Sequence, residues 1–519
     1  MSARLNVLSL SWPEHLWAFL GLNRELASVG VVTILSSLLL ALICIATDGS
    51  GLAGIGFLSL LLILTITLYR LDWGFFTFLG IVLVCDQFPP PELESYFTHK
   101  IGYFANIKTI EYIPGAKNFD AGVVNPLELH LLFLLFIWLL ILAVKKRFKG
   151  NRAPVWGAAL LFFSALLWSF AYGLARGGVF LPALWEVRAM IYLGVLYFFV
   201  PQVIHSKEQV ETLVWVCIAA IAFKAFQGIA HYVSLGFSFQ EISTLTNHED
   251  PVFMLTLLVL LIALLQYKGH PQQKRTLLWL LVPLLLGFYI AQRRAAYAAI
   301  APSLIVFVVL LPKKDQWRFF KVAAPILVII MMYLIVFWNS HNSLAGPAQM
   351  IKSGLTTDKS QLSTEDYYSN LYRDVEKFNL AMTVRKSPIL GIGFGNKYEK
   401  VITLLDLGVS LLDYIPHNAV MWLMAKMGML GFFLFWFFLN TFVFRGASVF
   451  SRLQDPYLKA VCIVIIVAVV NQVVVSYFDL QLTYYRNMVY LGALMGLLSP
   501  IEKIDGQLAQ AQADRPDRT

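Results

Sequence analysis

Long apolar runs recur along the whole chain, separated by short polar intervals. They lie near residues 31–46, 52–69, 73–88, 126–144, 153–174, 185–204, 210–235, 252–267, 276–292, 295–311, 321–338, 417–440, 458–479 and 485–500. Inside each run the apolar positions are continuous and do not alternate as lipid-facing barrel strands do. A bilayer crossing takes roughly 20 mainly apolar residues, and in lipid only a helix or a closed barrel satisfies its own backbone. The pattern therefore predicts an all-α, polytopic integral membrane helix bundle of about 12–14 transmembrane helices. One interval breaks the rhythm. Residues 339–416 are polar and long, and a long structured loop between spans is usually functional or a lid. The predicted divisions are a cytoplasmic or interfacial segment at 1–30, a transmembrane bundle at 31–338 and the large external loop at 339–416. C-terminal transmembrane helices at 417–500 and a disordered cytoplasmic tail at 501–519 complete the chain.

Composition agrees with this reading. Of the 519 residues, 58% are hydrophobic and only 14% charged, where soluble domains carry nearer a quarter. The net charge of +9 would suggest nucleic acid in a soluble protein, but here most basic residues sit in short loops. Those loops set the topology instead. Lys145–Arg152, Lys268–Arg275, Lys313–Lys321 and Arg445–Lys459 are assigned to the cytoplasm by their positive charge. An even number of crossings separates each from the next, so both termini are expected inside. Residues 89–125, 236–251 and 339–416, with the turns near 175–184 and 292–295, fall on the outer face.

Cys44, Cys85, Cys217 and Cys462 lie in apolar spans and form no CxxC pair, so they read as unpaired structural thiols. The N-terminus does not read as a cleavable signal peptide. Ser11-Trp12-Pro13-Glu14 resembles a helix start, and Trp12, Leu16, Trp17, Phe19 and Leu20 suit an interfacial helix. No fixed-period repeat and no inverted repeat of broken helices is visible.

Candidate chemistry gathers on the outer face. Arg293 and Arg294 stand in a tight turn, GFYIAQRRAAYAAIAP, between two apolar runs. They suit either a headgroup anchor or a forked anion site. Arg188 lies about a turn inside its span, near Glu186, as a functional residue or as the partner of an ion pair with Glu186 or another helix. Lys224, Gln227 and His231 share one helical face, as a packed polar stripe or as a substrate groove. In the large loop, residues 373–384 look like a short amphipathic helix stopped by Pro388, and Gly391, Gly393 and Gly395 permit close backbone approach to a ligand. No strand precedes GIGFG, so a dinucleotide fold is excluded. His417 follows Pro416 at the mouth of a span, as a cap or as a general base working near neutral pH. HExxH, Walker A and GxSxG patterns are absent, and the external loops show no DxD-like carboxylate pair for a divalent cation. Asp48, Asp86 and Asp413 read as single structural carboxylates.

Three segments together go beyond the generic: Arg294 in QRRAA, Arg373 followed by KSPILGIGFGNKY, and PHNAVMWLMAKMGMLGFFLF. In this order they resemble the O-antigen ligase and O-antigen polymerase superfamily, over roughly residues 185–445. The resemblance implies a glycosyltransferase of the bacterial inner membrane. Its donor would be a glycan on undecaprenyl diphosphate at the periplasmic face. Its acceptor would be a sugar hydroxyl, on lipid A–core for a ligase or on the next lipid-linked repeat for a polymerase. No metal, nucleotide sugar or other cofactor is implied, and no nucleic acid. Membrane lipids, and a chain-length regulator for a polymerase, are the implied partners. His417 would be the general base, and Arg294 and Arg373 would clamp the diphosphate. Arg188, Arg293, Arg385, Asn418 and Gly393 would contribute to substrate binding. Two departures stand out: Arg293 replaces the serine common before the turn arginine, and Lys426 replaces an acidic residue in the helix after the histidine. Lys426 is nine residues beyond His417, on the opposite helical face. The additional N-terminal spans favour a polymerase of O-antigen or exopolysaccharide repeats.

Two rivals remain at this level. A transporter or flippase of lipid-linked saccharides would line a path through the membrane with charges, to which Lys224 and His231 would belong. A different lipid-phosphate-sugar transferase would rely on an acidic residue such as Asp48 or Asp86.

Overall fold

The computed structural model describes residues 24–46, 49, 51–87, 97–109, 123–145, 150–237, 244–340, 345–356, 362–405 and 410–514. All regular structure among them is helical. In chain order the main helices are α1 (Arg24–Ala46), α2 (Gly51–Tyr69), α3 (Leu71–Val84), α4 (Pro126–Lys145), α5 (Trp156–Ala175), α6 (Phe180–Val203), α7 (Lys207–Ser234), α8 (Asp250–Tyr267), α9 (Pro271–Trp279), α10 (Leu281–Ile290), α11 (Arg294–Leu310), α12 (Lys313–Phe337), α13 (Gly346–Leu355), α14 (Thr364–Lys386), α15 (Ala419–Arg452), α16 (Pro456–Phe478), α17 (Tyr485–Gly496) and α18 (Leu498–Ala513). Helices cover all fourteen apolar stretches of the sequence, but unevenly. Eight described helices are long and apolar enough to cross a membrane, and five more carry shorter apolar stretches of 10–17 residues.

The differences have local causes. The stretch at 276–292 is two pieces, α9 and α10. Pro283 lacks the N–H its turn requires and its ring crowds the carbonyl four residues back, so the helix restarts at Leu281. The last stretch is divided between the 12-residue α17, all of whose residues are buried, and the start of α18. The tail expected to be disordered after Pro500 is instead helical to Ala513. It buries Ile501 and Ile504 and docks on the α15–α16 connection. Arg445 and Arg452 pair with Glu502 at 2.5 and 3.1 Å, and Asp505 accepts from the Asp455 amide at 2.7 Å. The proposed interfacial helix near Trp12 lies outside the described residues, as does Asp48. The four cysteines are free.

The core is built on α6, α8, α16 and α17, which are enclosed on most sides. Gly492 and Gly496 of α17 lie against the backbone of Leu193 and Leu196 on α6. A Cβ at Gly492 would come within 2.6 Å of the Leu193 carbonyl oxygen. Small residues at such crossings let membrane helices approach to backbone contact, where packing drives association. α12 is the opposite case, with no buried residue.

In the large loop, α14 is longer than the sequence suggested. Ser363 caps it by accepting from the Asp366 amide at 3.1 Å, and it ends just before Pro388. Residues 388–393 then enter a break in α15. Gly428 has φ +64° there, a left-handed conformation that glycine adopts without penalty. The amides of Ile392 and Gly393 donate to the carbonyls of Ala425 and Lys426, each at 2.9 Å. The amides of Met429 and Leu430 donate to Pro388 and Ile389 at 2.8 and 3.2 Å. A helix interrupted at membrane depth must regain its lost hydrogen bonds from protein, and this run supplies them.

Candidate functional site

α14 lies across the mouth of α15 and brings a carboxylate to His417. Glu376, 1% exposed, accepts from the His417 main-chain amide at 2.9 Å through Oε2. Its Oε1 lies 3.1 Å from His417 Nδ1. Both contacts fix the ring, which leaves Nε2 as its free edge. The Tyr372 ring stands edge-on to the imidazole, with centroids 5.6 Å apart. Tyr372 and Arg373 lie one turn before Glu376 on the same helix, so α14 delivers a ring, a cation and an anion together.

The arginines converge on the same place. Arg293 is the cap residue of α11 and Arg294 its first residue. Arg294 reaches α14, donating to Asn370 at 2.9 Å and Ser369 at 3.0 Å, and lies 3.3 Å from Asp366. Arg373 is near enough for its charge to act on both Arg293 and Arg294. Burial lowers the Arg293 pKa, and the Arg373 cation lowers it further against the pull of Asp479. The Nε of Arg293 is buried with no hydrogen-bond partner among the described residues. Crowded guanidiniums raise one another's energy, and Asp366 beside Arg294 and Asp479 near Arg293 offset part of that repulsion.

A second histidine completes the site. His248, just before α8, has Nδ1 3.2 Å from Asp479 Oδ2, at the end of α16. Gln481 Nε2 donates to the same carboxylate oxygen at 2.9 Å. Burial opposes ionisation of Asp479, but His248 and Arg293 outweigh it and hold the carboxyl well below its usual range. Burial pushes the His248 pKa down, and the Arg293 and His417 charges act in the same direction.

Other candidates are spent on the scaffold. Arg188 pairs not with Glu186 but with Glu128 of α4, at 3.0 Å, and donates to the Val123 carbonyl at 2.7 Å. Glu186 pairs with Lys426 at 2.6 Å, both fully buried, and accepts from the Gly395 amide at 2.6 Å and Trp422 Nε1 at 3.2 Å. Gly393 does meet something closely, but that is helix α5: a Cβ there would lie 2.3 Å from Gly173 Cα. The glycine run is thus fitted to protein, not opened to a ligand. Asn418 caps α15, accepting from the Met421 amide at 2.8 Å, while its Nδ2 is buried without a partner among the described residues. Arg385 is exposed at the far end of α14, 3.9 Å from Met382 Sδ. Lys224 is closed into a network with Asp86 at 2.6 Å and Gln227 at 2.5 Å, and Arg486 holds Asp250 at 2.8 Å beside it.

Of the candidates read from the sequence, the structure brings His417, Arg293, Arg294 and Arg373 into one region. Glu376, His248 and Asp479, which the sequence reading did not single out, stand beside them. Glu376 carried a readable signal, since it is three residues after Arg373 on the same helix. His248 and Asp479 are far apart in sequence, and only the packing of α8 on α16 joins them.

Residues 279–436 match the family model for O-antigen ligase. This bears out the resemblance to the O-antigen ligase and polymerase superfamily. The matched region holds both arginines of the turn, Arg373, Glu376, the glycine run and His417, while His248 and Asp479 lie outside it. No curated protein matches the chain.

Proposed function

We propose that the chain is an inner-membrane glycosyltransferase that polymerises glycan repeats carried on undecaprenyl diphosphate, at the periplasmic face. The reading rests above all on one observation: a single helix, α14, fixes His417 through Glu376 and brings Arg373 beside Arg293 and Arg294 where the large loop meets the membrane helices. The O-antigen ligase match over this segment supports it.

The chemistry follows from the contacts. Glu376 accepts the proton on His417 Nδ1 and so keeps Nε2 as the base. Nε2 takes the proton of the acceptor sugar hydroxyl as its oxygen attacks the anomeric carbon. The bond from that carbon to the diphosphate oxygen breaks, and undecaprenyl diphosphate leaves. Arg373 and Arg293 neutralise the negative charge that grows on the diphosphate. Arg294 is largely occupied with Asp366, Ser369 and Asn370, so it chiefly holds α14, and with it Arg373 and Glu376, against the membrane helices. A flippase would line a path with available charges, but Lys224 is neutralised within its own network.

Complementation of cells lacking the gene tests this reading. Wild type restores long surface polysaccharide. His417→Ala and Arg373→Ala, at equal membrane abundance, leave single repeats on the acceptor. Full-length chains stranded on the lipid carrier would make the enzyme a ligase. Normal polysaccharide from His417→Ala would overturn the base assignment.

A further inference from the structure

The histidine paired with Asp479 has no part in the proton transfer described above, yet it is built like the catalytic one. Its Nδ1 is bound by a carboxylate. That carboxylate is itself fixed by Gln481 Nε2 and by the Leu480 amide at 2.8 Å. The Tyr484 ring stands edge-on to the imidazole at 5.8 Å, so the ring plane is set as well. The side chain remains 32% exposed, and no partner holds Nε2 among the described residues. A histidine needed only for packing would have no reason to keep one edge open while three residues fix the other.

Its neighbours identify what that edge meets. Arg293 lies beside the pair, with Nε buried and unpartnered. Glu249, next to His248 in sequence, is 2% exposed, also leaves Oε1 without a partner among the described residues, and is near enough for its charge to act on Arg293. Unsatisfied buried polar atoms in a native fold call for a ligand or water. With Nδ1–H donated to Asp479, Nε2 of the neutral ring is an acceptor and cannot bind phosphate oxygen. It requires a hydrogen-bond donor placed next to the anion that Arg293 binds. In a sugar diphosphate the nearest such group is the substituent on C2, a hydroxyl or an acetamido N–H, one carbon from the anomeric centre.

We propose that His248, positioned by Asp479, binds the donor sugar by accepting a hydrogen bond at Nε2 from its C2 hydroxyl or acetamido group. The site then senses the first sugar of the lipid-linked glycan as well as its diphosphate. This rests on the undecaprenyl diphosphate reading above.

Two probes separate the inference from that reading. One is the undecaprenyl-diphosphate glycan extracted from cells lacking the gene, and the other is undecaprenyl diphosphate without sugar. Binding of each to the purified full-length protein in detergent is measured for wild type, His248→Ala, His248→Gln and Asp479→Asn. Each variant is checked for wild-type elution and melting. Wild type is expected to prefer the glycan-bearing lipid. His248→Ala lowers that preference about tenfold, as loss of one well-formed hydrogen bond would, with bare-lipid affinity unchanged. Asp479→Asn lowers it in the same direction by freeing the ring. His248→Gln, whose side-chain oxygen can accept at similar reach, recovers part of the preference. An unchanged preference in His248→Ala overturns the inference and leaves the reading intact. Wild type that binds neither lipid overturns both.

Discussion

Charged side chains at the loop end of this bundle form two groups that differ in what they leave over. In one, every charge is closed by another: Glu186 by Lys426 at 2.6 Å, Lys224 by Asp86 at 2.6 Å, Arg188 by Glu128 at 3.0 Å. In the other, cations crowd cations. Arg293, Arg294 and Arg373 share one neighbourhood, and His417 and His248 each give one nitrogen to a carboxylate and keep the other open. The first group holds helices together. The second crowds its arginines together beside Asp366, Glu376 and Asp479, and it leaves Arg293 Nε buried without a partner among the described residues. Ionisable residues in membrane proteins are functional candidates by default, and here pairing divides those candidates more sharply than depth does.

The largest effect is expected where the closed group is broken. Lys426→Ala leaves the Glu186 carboxylate fully buried without its counter-ion, a loss of about 3–5 kcal/mol for buried pairs. Glu186 also anchors Gly395, so the 388–395 run should loosen from the α15 break. Little folded protein should reach the membrane. Lys426→Met together with Glu186→Leu removes both charges and should recover much of the abundance. Wild-type amounts of Lys426→Ala would show that this pair does not belong to the scaffold.

A smaller effect is expected from the open group. Glu376→Gln keeps the shape of the side chain but cannot hold His417 in the same tautomer. Transfer should fall by about 10²–10⁴-fold while membrane abundance and melting temperature hold. If Glu376→Gln instead unfolds the protein with no residual folded fraction to assay, Glu376 belongs with Glu186 in the closed group.

The two groups were not equally legible in the sequence. Helix positions were, because lipid forces long apolar runs whatever their partners. The turn arginines, Arg373 and His417 were legible because each stands out locally against apolar or loop sequence. What each charge pairs with was not. Glu186 and Arg188 are two residues apart yet point to Lys426 and Glu128, on different helices. The glycine run looked open to a ligand because its positive φ values could be expected from sequence, whereas the helix packed against it could not. Asp479 and His248 carry no local signature, since 231 residues separate them. The tail looked disordered from its polarity alone. Its Glu502 and Asp505 are the anions that the basic α15 end and the backbone after it require.

One residue stands on the border between the groups and gives the mildest test. Glu249 is 3.8 Å from Arg486, in the closed network, yet its Oε1 is unpartnered and its charge reaches Arg293, in the open one. Burial raises its pKa to about 7, and Asp250 adds to the rise against the pull of Arg486. An unfolded glutamate ionises near 4.3. Between about 4.3 and 7 the folded protein therefore binds the proton more tightly than the unfolded chain does. The stability this group contributes is full below that window and is lost as pH rises through it. Other groups titrate in the same range with opposite sign, His248 among them, so the comparison must be made against a variant. Glu249→Gln keeps the neutral, hydrogen-bonding form at every pH. Its melting temperature relative to wild type in the same detergent should rise by a few degrees from pH 5 to pH 7.5. A constant difference across that range would mean that Glu249 is ionised throughout and belongs wholly to the closed network around Arg486.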